Sequence, residues 1–180
     1  MPVTRYEQKS KPIPDGKLDT LHGYLPFVTK AFGDINAGTE ANRLYFIAPI
    51  LISVCALFDG DARMLFDETV VGKRVHGTGT FEFVLQRGDI RVCVVQAKMG
   101  NIQQGLAEAY EGCEALADVE GLTSVYSIVT NLTQWCFSRN LDERVERAEP
   151  VVMTWEKDNL ARKLVDRIAG MIYAILSGDT

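Results

Sequence analysis

Histidine and closely spaced cysteine are scarce in this sequence. The chain has two histidines, His22 and His76, and neither has a cysteine or a second histidine at metal-ligand spacing. The four cysteines form no Cys-x-x-Cys pair, and each lies inside an apolar run. They are Cys55, Cys93, Cys113 and Cys136. This pattern argues against a structural zinc site and predicts buried free thiols in a reducing compartment.

Positive charge is also in short supply. The chain has 19 lysines and arginines against 24 aspartates and glutamates, which gives a formal net charge of −5. Such a balance argues against a protein that mainly coats nucleic acid. It leaves room for an enzyme that acts on nucleic acid, because such an enzyme needs only a local basic rim.

Neither a leader nor a membrane span is predicted. Residues 1–5 have no apolar core of the kind that a secretory signal needs, so the sequence predicts a protein that starts inside a cell. Residues 44–58 are almost continuously apolar, but this run is shorter than the roughly 18 to 20 residues of a span. It contains Pro49 and ends at Asp59-Gly60-Asp61. We expect a buried core helix and no contact with a membrane.

What is present is an ordinary globular composition. With 180 residues, 47% of them hydrophobic and 24% charged, the chain can build one substantial core. Residues 1–19 carry Pro2, Pro12 and Pro14 and predict a flexible, slightly basic arm. The arm is either a linker or a tail that contacts nucleic acid. Residues 20–180 are predicted to form a single domain.

Residues 80–98 predict a β-hairpin around which the rest of the chain is organised. Residues 81–85 and 92–97 are rich in β-branched and aromatic side chains, and Arg87-Gly88-Asp89 between them supplies a turn. The second strand is apolar on both faces until Gln96 and Lys98, which is typical of a strand in the middle of a sheet.

The polar residues of this hairpin are predicted to share one face. Alternation places Gln96 and Lys98 on the same side as Val92 and Val94. A three-residue hairpin loop, either 87–89 or 88–90, brings Glu82 to that side, whereas a two-residue loop turns it away. Under the three-residue prediction an acid, an amide and an ammonium group converge at one sheet edge. Burying such groups without partners is costly.

This arrangement resembles the motif of the PD-(D/E)xK nuclease superfamily. That motif has an acid on one strand, a turn, and then an acid or amide, any residue and a lysine; here it reads Glu82 and Gln96-Ala97-Lys98. The likeness runs from about residue 39 to 139. The segments Gln-Gly-Leu-Ala-Glu and Ile-Val-Thr-Asn-Leu-Thr-Gln-Trp are similar to a Crinkler-effector-like branch. Glu82 replaces the usual Asp and Gln96 the usual Glu, so a metal site here has fewer charges than the family norm.

The resemblance implies an α/β fold with a restriction-endonuclease-like core. This core is a mixed central sheet flanked by helices in the order α-β-β-β-α-β, and a C-terminal helix follows it. Apolar periodicity predicts the same elements. Helices are expected at 21–32, from Glu40, after Asn101 and from Asn159; strands at 64–71, in the hairpin and at 124–130, with a hairpin partner at 135–137 and an edge strand near 151–155; and an exposed charged stretch at 139–149.

The resemblance also implies an activity and its residues. It implies metal-dependent hydrolysis of phosphodiesters in nucleic acid, DNA more than RNA, with Glu82, Gln96 and Lys98 as catalytic residues. Mg²⁺ or Mn²⁺ is the implied cofactor, with Glu82, Gln96 and Glu40 as ligands, because Mg²⁺ prefers hard oxygen ligands. For Glu40, a carboxylate that faces the helix dipole is the alternative.

Three further residues are candidates for substrate contact. Gln104 is implied to orient the substrate, although a capping box with Asn101 explains it equally. Lys73 and Arg74 lie in a glycine-rich segment that either contacts phosphate or forms a solvated turn. The acidic residues Glu108, Glu111, Glu114 and Asp118 predict a solvated helix face.

The rival hypothesis is a nuclease fold without catalysis. Glu82 and Lys98 would then form a buried salt bridge, and the domain would bind nucleic acid or a protein partner, possibly as an effector. A homodimer through the edge strand near 151–155 or through the last helix is also expected.

Overall fold

The computed structural model describes residues 1–33, 39–74, 77–98 and 100–179, with the side chain of Glu40 outside the described part. Four helices, a 3₁₀ turn at Ala56–Phe58 and ten strands occur in these ranges. In chain order they are β1 (Val3–Arg5), α1 (Asp19–Phe32), α2 (Glu40–Cys55), β2 (Ala62–Val71), β3 (Thr78–Arg87), β4 (Ile90–Ala97), α3 (Ile102–Glu120), β5 (Ser124–Thr130), β6 (Gln134–Leu141), β7 (Val145–Arg147), β8 (Val151–Val152), β9 (Trp155–Glu156), β10 (Asn159–Leu160) and α4 (Arg162–Ser177).

A mixed sheet forms the centre of the domain. Its strand order is β1-β7-β6-β5-β4-β3-β2, and β8 pairs with β6. The neighbours β4 and β5 are parallel, as are β1 and β7, and the other neighbouring pairs are antiparallel. One face packs against α1, α2 and α4, and the other face packs against α3. Helix α3 is the crossover that two adjacent parallel strands require.

This architecture confirms the predicted fold class. The order α2, β2, β3, β4, α3, β5 is the α-β-β-β-α-β order expected from the sequence, and α4 is the C-terminal helix. The fold is consistent with a restriction-endonuclease-like core. Strand β5 has the predicted bounds, because a run of β-branched and aromatic residues, buried after Ser124, is set by local sequence.

The central hairpin differs from its prediction in loop length and in register. Its loop has two residues, Gly88 and Asp89, not three, since Arg87 pairs with Ile90. The register then shifts between Leu85 and Gln86, which leaves Val92 as an extra residue in β4. Beyond this β-bulge, residues of β3 and β4 pair as they would across a three-residue loop, so the bulge offsets the change of register that the shorter loop causes. Val92 packs with the α1, α2 and α4 side, whereas Val94 packs against α3, so the prediction that they share a face was wrong.

One side of helix α2 packs into the core, while Tyr45 and Ile52 are exposed. The window Ala41–Phe58 has the length and mean hydropathy, 1.7, of a membrane span, but by length and composition only. Its inner residues are at most 1% exposed and pack into the core. These are Phe46, Ile47, Ile50, Leu51 and Val54.

Two predictions for the second half of the chain differ clearly from the structure. Residues 139–149 were expected to be exposed, yet β6 continues to Leu141, β7 follows, and Glu146 is 8% exposed. Glu146 can be buried because Arg139 and Arg144 both donate hydrogen bonds to its carboxylate. Helix α4 begins at Arg162, since Asn159 and Leu160 pair as strand β10 with β9.

The predicted flexible arm, residues 1–19, lies along the domain. Strand β1 pairs in parallel with β7, and the N–H of Lys11 donates to the carbonyl of Gly170, 2.9 Å away. A side chain at Gly170 would collide with Ser10, so this glycine lets the segment approach α4 closely. All four cysteines are free and buried, as predicted. Burial raises the pKa of the Cys55 thiol to about 11.

Candidate active site at the end of strand β4

The hairpin of β2 and β3 is interrupted at Asp67 and Glu82. Phe66 pairs with Phe83 and Glu68 with Phe81, but Asp67 and Glu82 between them do not pair as strand partners. Asp67 has φ of 48°, a left-handed conformation that is uncommon for a residue other than glycine. Phe81 and Phe83 would share a face of a regular strand, yet Phe81 packs on the α3 side and Phe83 on the opposite side. Glu82 therefore lies at a kink.

The carboxylate of Glu82 meets strand β4 within the predicted motif. Its Oε2 accepts a hydrogen bond of 3.0 Å from the backbone N–H of Ala97. Ala97 stands between Gln96 and Lys98, so the acid reaches the backbone of the residue that separates the amide from the ammonium group. Lys98 follows the last residue of β4, and its own N–H donates to the carbonyl of Thr130 on β5 at 2.8 Å.

Gln96 and Lys98 come together on a fourth residue, Glu108 of α3. The Nε2 of Gln96 donates to Oε2 of Glu108 at 2.8 Å, and the Nζ of Lys98 lies 2.9 Å from the same oxygen. Gln96 is buried, while the side chains of Lys98 and Glu108 are 29% and 37% exposed. The network thus extends from the sheet interior to the surface.

Gln104 joins this network from the first turn of α3. Its N–H donates to the side chain of Asn101, which confirms the predicted N-cap. Its side chain does not close a capping box but donates to the other oxygen of Glu108, at 2.9 Å. The hydrogen bond from Lys98 is the main reason that the pKa of Glu108 lies below its ordinary value; burial opposes it, and Gln104 and Gln96 add to the lowering.

Close approach of α3 to β4 depends on Gly105. A Cβ atom at this position would lie 2.8 Å from Cγ of Lys98 and 2.9 Å from Cγ1 of Val129. Both separations are too short for carbon atoms in contact. The glycine therefore lets the first turn of α3 lie directly over Lys98, and this places Glu108 within reach of the ammonium group.

The carbonyl oxygen of Gln96 is left as an acceptor. Glu108 can only accept hydrogen bonds in its ionised form, so the amide nitrogen of Gln96 must face it. The Oε1 atom of Gln96 is buried and has no hydrogen-bond partner among the described residues. A buried acceptor without a partner is costly, and such sites often have a functional reason.

The oxygen atoms of this site fit Mg²⁺ by their chemistry. No group of three or more His, Cys, Asp or Glu residues suited to a metal occurs in the part of the chain that the structure describes. The candidate oxygens are the carboxylates of Glu82 and Glu108 and the carbonyl of Gln96. Gln96 contacts Glu108 directly through its amide nitrogen, whereas Glu82 contacts the backbone N–H of Ala97. Mg²⁺ binds one or two carboxylates, keeps several waters and takes substrate phosphate as a further ligand.

Sequence reasoning missed Glu108. Helical periodicity assigned it to a solvated acidic face with Glu111, Glu114 and Asp118, but Glu108 contacts three side chains of the site. Its spacing from Gln104 was the available signal, because residues four apart lie on the same helix face. The prediction of a solvated face was also wrong for Asp118, since its side chain is only 4% exposed.

Lys73 and Arg74 lie away from this network. Both backbone N–H groups donate to Oδ2 of Asp118, at 2.7 and 2.6 Å, and Nε of Arg74 donates to Oδ1 at 2.7 Å. Asp118 is ten residues beyond Glu108 on α3, about 15 Å along the helix. The structure therefore does not bring these two basic residues to Lys98. Glu40 begins α2, and its predicted role as a metal ligand concerns a side chain outside the described residues.

Comparison with known proteins gives one close sequence relative. The chain is 56% identical over 177 residues to Crinkler effector protein 5 of Phytophthora infestans. The two sequences are homologous. The alignment covers 98% of this chain and 50% of the relative, so the chain spans about half the length of that protein. This agrees with the Crinkler-like resemblance in the sequence.

No family model matches the chain. Among solved structures, a DrdV–DNA complex determined by cryo-electron microscopy aligns with a TM-score of 0.48 and 10% sequence identity. The alignment covers 89% of this chain and 13% of the other.

Proposed function

We propose that this domain hydrolyses phosphodiester bonds of nucleic acid, DNA more than RNA, with Mg²⁺ or Mn²⁺, as part of an effector protein. The observation that carries the proposal is the junction at the end of β4. Gln96 and Lys98 converge there on Glu108, while Glu82 holds the backbone between them. The homology to an effector protein supports the broader role.

Each side chain has a task in this chemistry. Glu82, Glu108 and the carbonyl oxygen of Gln96 would hold the metal ion, with Glu40 as a further candidate ligand. The ion, when bound, would polarise the phosphoryl oxygens and acidify a water molecule. Lys98 would orient the attacking water and stabilise the negative charge that develops on the phosphorus centre. Gln104 would keep Glu108 in position through its hydrogen bond.

Cleavage assays with point variants test this function. With Mg²⁺ or Mn²⁺ the wild-type protein should degrade plasmid, single-stranded DNA or RNA, and Lys98→Ala, Glu82→Ala and Glu108→Gln should each lose at least about 100-fold in rate. Lys163→Ala is the matched control, because Lys163 is an exposed lysine on α4. Circular dichroism should show that all variants are folded.

A binding module without catalysis is the second candidate. The closed ion pair of Lys98 and Glu108 favours it, since the pair is complete within the chain, and so does the neutral Gln96 in place of the family's acid. In that case the wild type should cut no substrate with either ion. Lys98→Ala should lower the melting temperature only modestly, because the side chains of Lys98 and Glu108 are 29% and 37% exposed and solvent screens the pair.

A further inference from the structure

An aromatic pocket adjoins the candidate active site on the side of α2. It has a volume of about 480 Å³ and lies between α1, α2 and the kink of β2 and β3. The rings of Tyr24, Tyr45 and Phe66 border it, and Glu82 and Asp67 also line it. This volume is within the range of about 300 to 1,000 Å³ that is usual for small-molecule sites.

The three rings are exposed to solvent. Tyr24 is 41% exposed, Tyr45 54% and Phe66 59%. Contiguous exposed apolar surface of this kind marks a binding site more often than chance placement does. Two of the rings are also held in place: Tyr45 lies 5.2 Å from Phe32, and Phe66 lies edge-on to Phe83 at 5.2 Å. Fixed, exposed rings are suited to stacking on a flat ligand.

The charges of the pocket exclude a phosphate and admit a base. Its described lining contains two carboxylates and neither lysine nor arginine. A phosphate group would be repelled there, whereas carboxylate oxygens accept hydrogen bonds from the exocyclic amino group of a base such as cytosine. The rest of the lining is apolar, including Leu44 and Ile52.

Glu82 connects this pocket to the candidate site. It lines the pocket and also binds the N–H of Ala97 between Gln96 and Lys98. We infer that the pocket receives an unpaired nucleobase, so that the substrate is single-stranded nucleic acid or a locally unpaired segment; this inference rests on the proposed function. A base inside a duplex is stacked and paired, and it must leave the stack before it can enter such a pocket.

Binding of fluorescent oligonucleotides to the full chain tests the inference. Anisotropy is measured in EDTA, with a single-stranded 12-mer of mixed sequence, the same strand in a duplex, and a strand whose central nucleotides are abasic. Tyr45→Leu and Phe66→Leu should each weaken binding of the single strand about 5-fold or more, because one base stacked on an aromatic ring contributes about that much. Phe27→Leu is the matched control, since Phe27 is 68% exposed on α1 and does not line the pocket.

Two further results separate stacking from a general loss of structure. Tyr45→Phe and Phe66→Tyr keep a ring and should retain wild-type affinity. The abasic strand should bind the wild type as weakly as the normal strand binds Phe66→Leu, and Phe66→Leu should not distinguish the two strands. Equal affinity of the wild type for the normal and abasic strands would overturn the inference.

The outcomes distinguish this inference from the proposed function. Ring-dependent binding of single strands without any cleavage in Mg²⁺ would support the pocket and contradict hydrolysis. Cleavage of duplex DNA by the wild type and by Phe66→Leu at equal rates would support hydrolysis and contradict the pocket. If no oligonucleotide binds, the inference is wrong, and a protein partner becomes the better occupant for this surface.

Discussion

Glu108 receives hydrogen bonds from three side chains that come from two separate parts of the chain. Gln96 and Lys98 reach it from β4, and Gln104 reaches it from its own helix one turn earlier. A carboxylate with this many donors is stabilised in its ionised form. Its position therefore depends on its charge, and so does the position of Lys98.

Acid should release this network. In the folded protein the pKa of Glu108 lies below its ordinary value of 4.5, chiefly because of the hydrogen bond from Lys98. A carboxyl group whose pKa is lower in the folded than in the unfolded protein stabilises the fold fully at pH values above its unfolded-state pKa. This stabilisation is lost as the pH falls through its folded-state pKa. The melting temperature of the wild type should therefore fall more between about pH 6 and about pH 3 than that of Glu108→Gln. The difference should be small, because Glu108 is 37% exposed and solvent screens its charge.

Glu111→Gln is the control for this titration. Glu111 is an exposed glutamate on the same helix, one turn from Glu108. It should keep the full pH dependence of the wild type. Identical pH profiles for the wild type and Glu108→Gln would contradict the stabilising role of the ionised carboxylate.

At the scale of elements, the kinked hairpin packs against α3 through the ring of Phe81, which occupies a slot next to Gly79 and Gly112. Phe81 is 1% exposed, and hypothetical Cβ atoms at Gly79 and Gly112 would both overlap its ring. The kink at Asp67 and Glu82 turns this part of the hairpin toward α3, and the slot fixes the contact. Because Glu82 is at the kink and Glu108 is on α3, this packing contributes to the geometry of the candidate site.

Gly112→Ala should destabilise the protein by about 1 to 3 kcal/mol, since overpacking forces a buried ring to move. The gain in helix propensity, about 1 kcal/mol, offsets only part of this cost. Urea unfolding measures the change. Gly23→Ala is the control: Gly23 lies in α1, and a Cβ there meets nothing within 4 Å, so this change should leave the protein equally or more stable. A Gly112→Ala protein as stable as the wild type would show that the slot accommodates a methyl group.

At the scale of the whole molecule, the N-terminal segment completes one edge of the sheet. Strand β1 is the end of the strand order, and Tyr6 lies under the guanidinium of Arg139 at 5.4 Å. Deletion of residues 1–11 removes this strand together with the contact of Lys11 with Gly170. The truncated protein should unfold at a temperature several degrees lower, as expected for a loss of about 1 kcal/mol or more.

A matched variant tests whether packing is the cause. Gly170→Ala should lower the melting temperature of the full chain, because its Cβ would collide with Ser10. The same substitution should have no such cost in the truncated protein, since Ser10 is then absent. A truncated protein with an unchanged melting temperature would favour the flexible arm predicted from the sequence.

The sequence alone determined the order of the elements and the two residues at the end of β4. Apolar periodicity is a local property, so α2, the strands of the hairpin and β5 follow from it directly. The same holds for Gln96 and Lys98, because two residues on one strand separated by a single position share a face in any regular strand. The resemblance to a nuclease motif rests on this part of the chain.

Tertiary structure alone decided three features of the candidate site. The bulge at Val92 could not be predicted from the sequence. Both faces of β4 are apolar there, so the pattern of apolar and polar residues does not change when the side chains switch faces. The kink at Asp67 depends on a left-handed backbone that many aspartates do not adopt. Glu108 lies on the polar side of an amphipathic helix, and periodicity does not distinguish a solvated acid from one that meets a lysine on a neighbouring strand. That distinction depends on how closely α3 packs against β4, and Gly105 sets that separation through contacts between residues far apart in the chain.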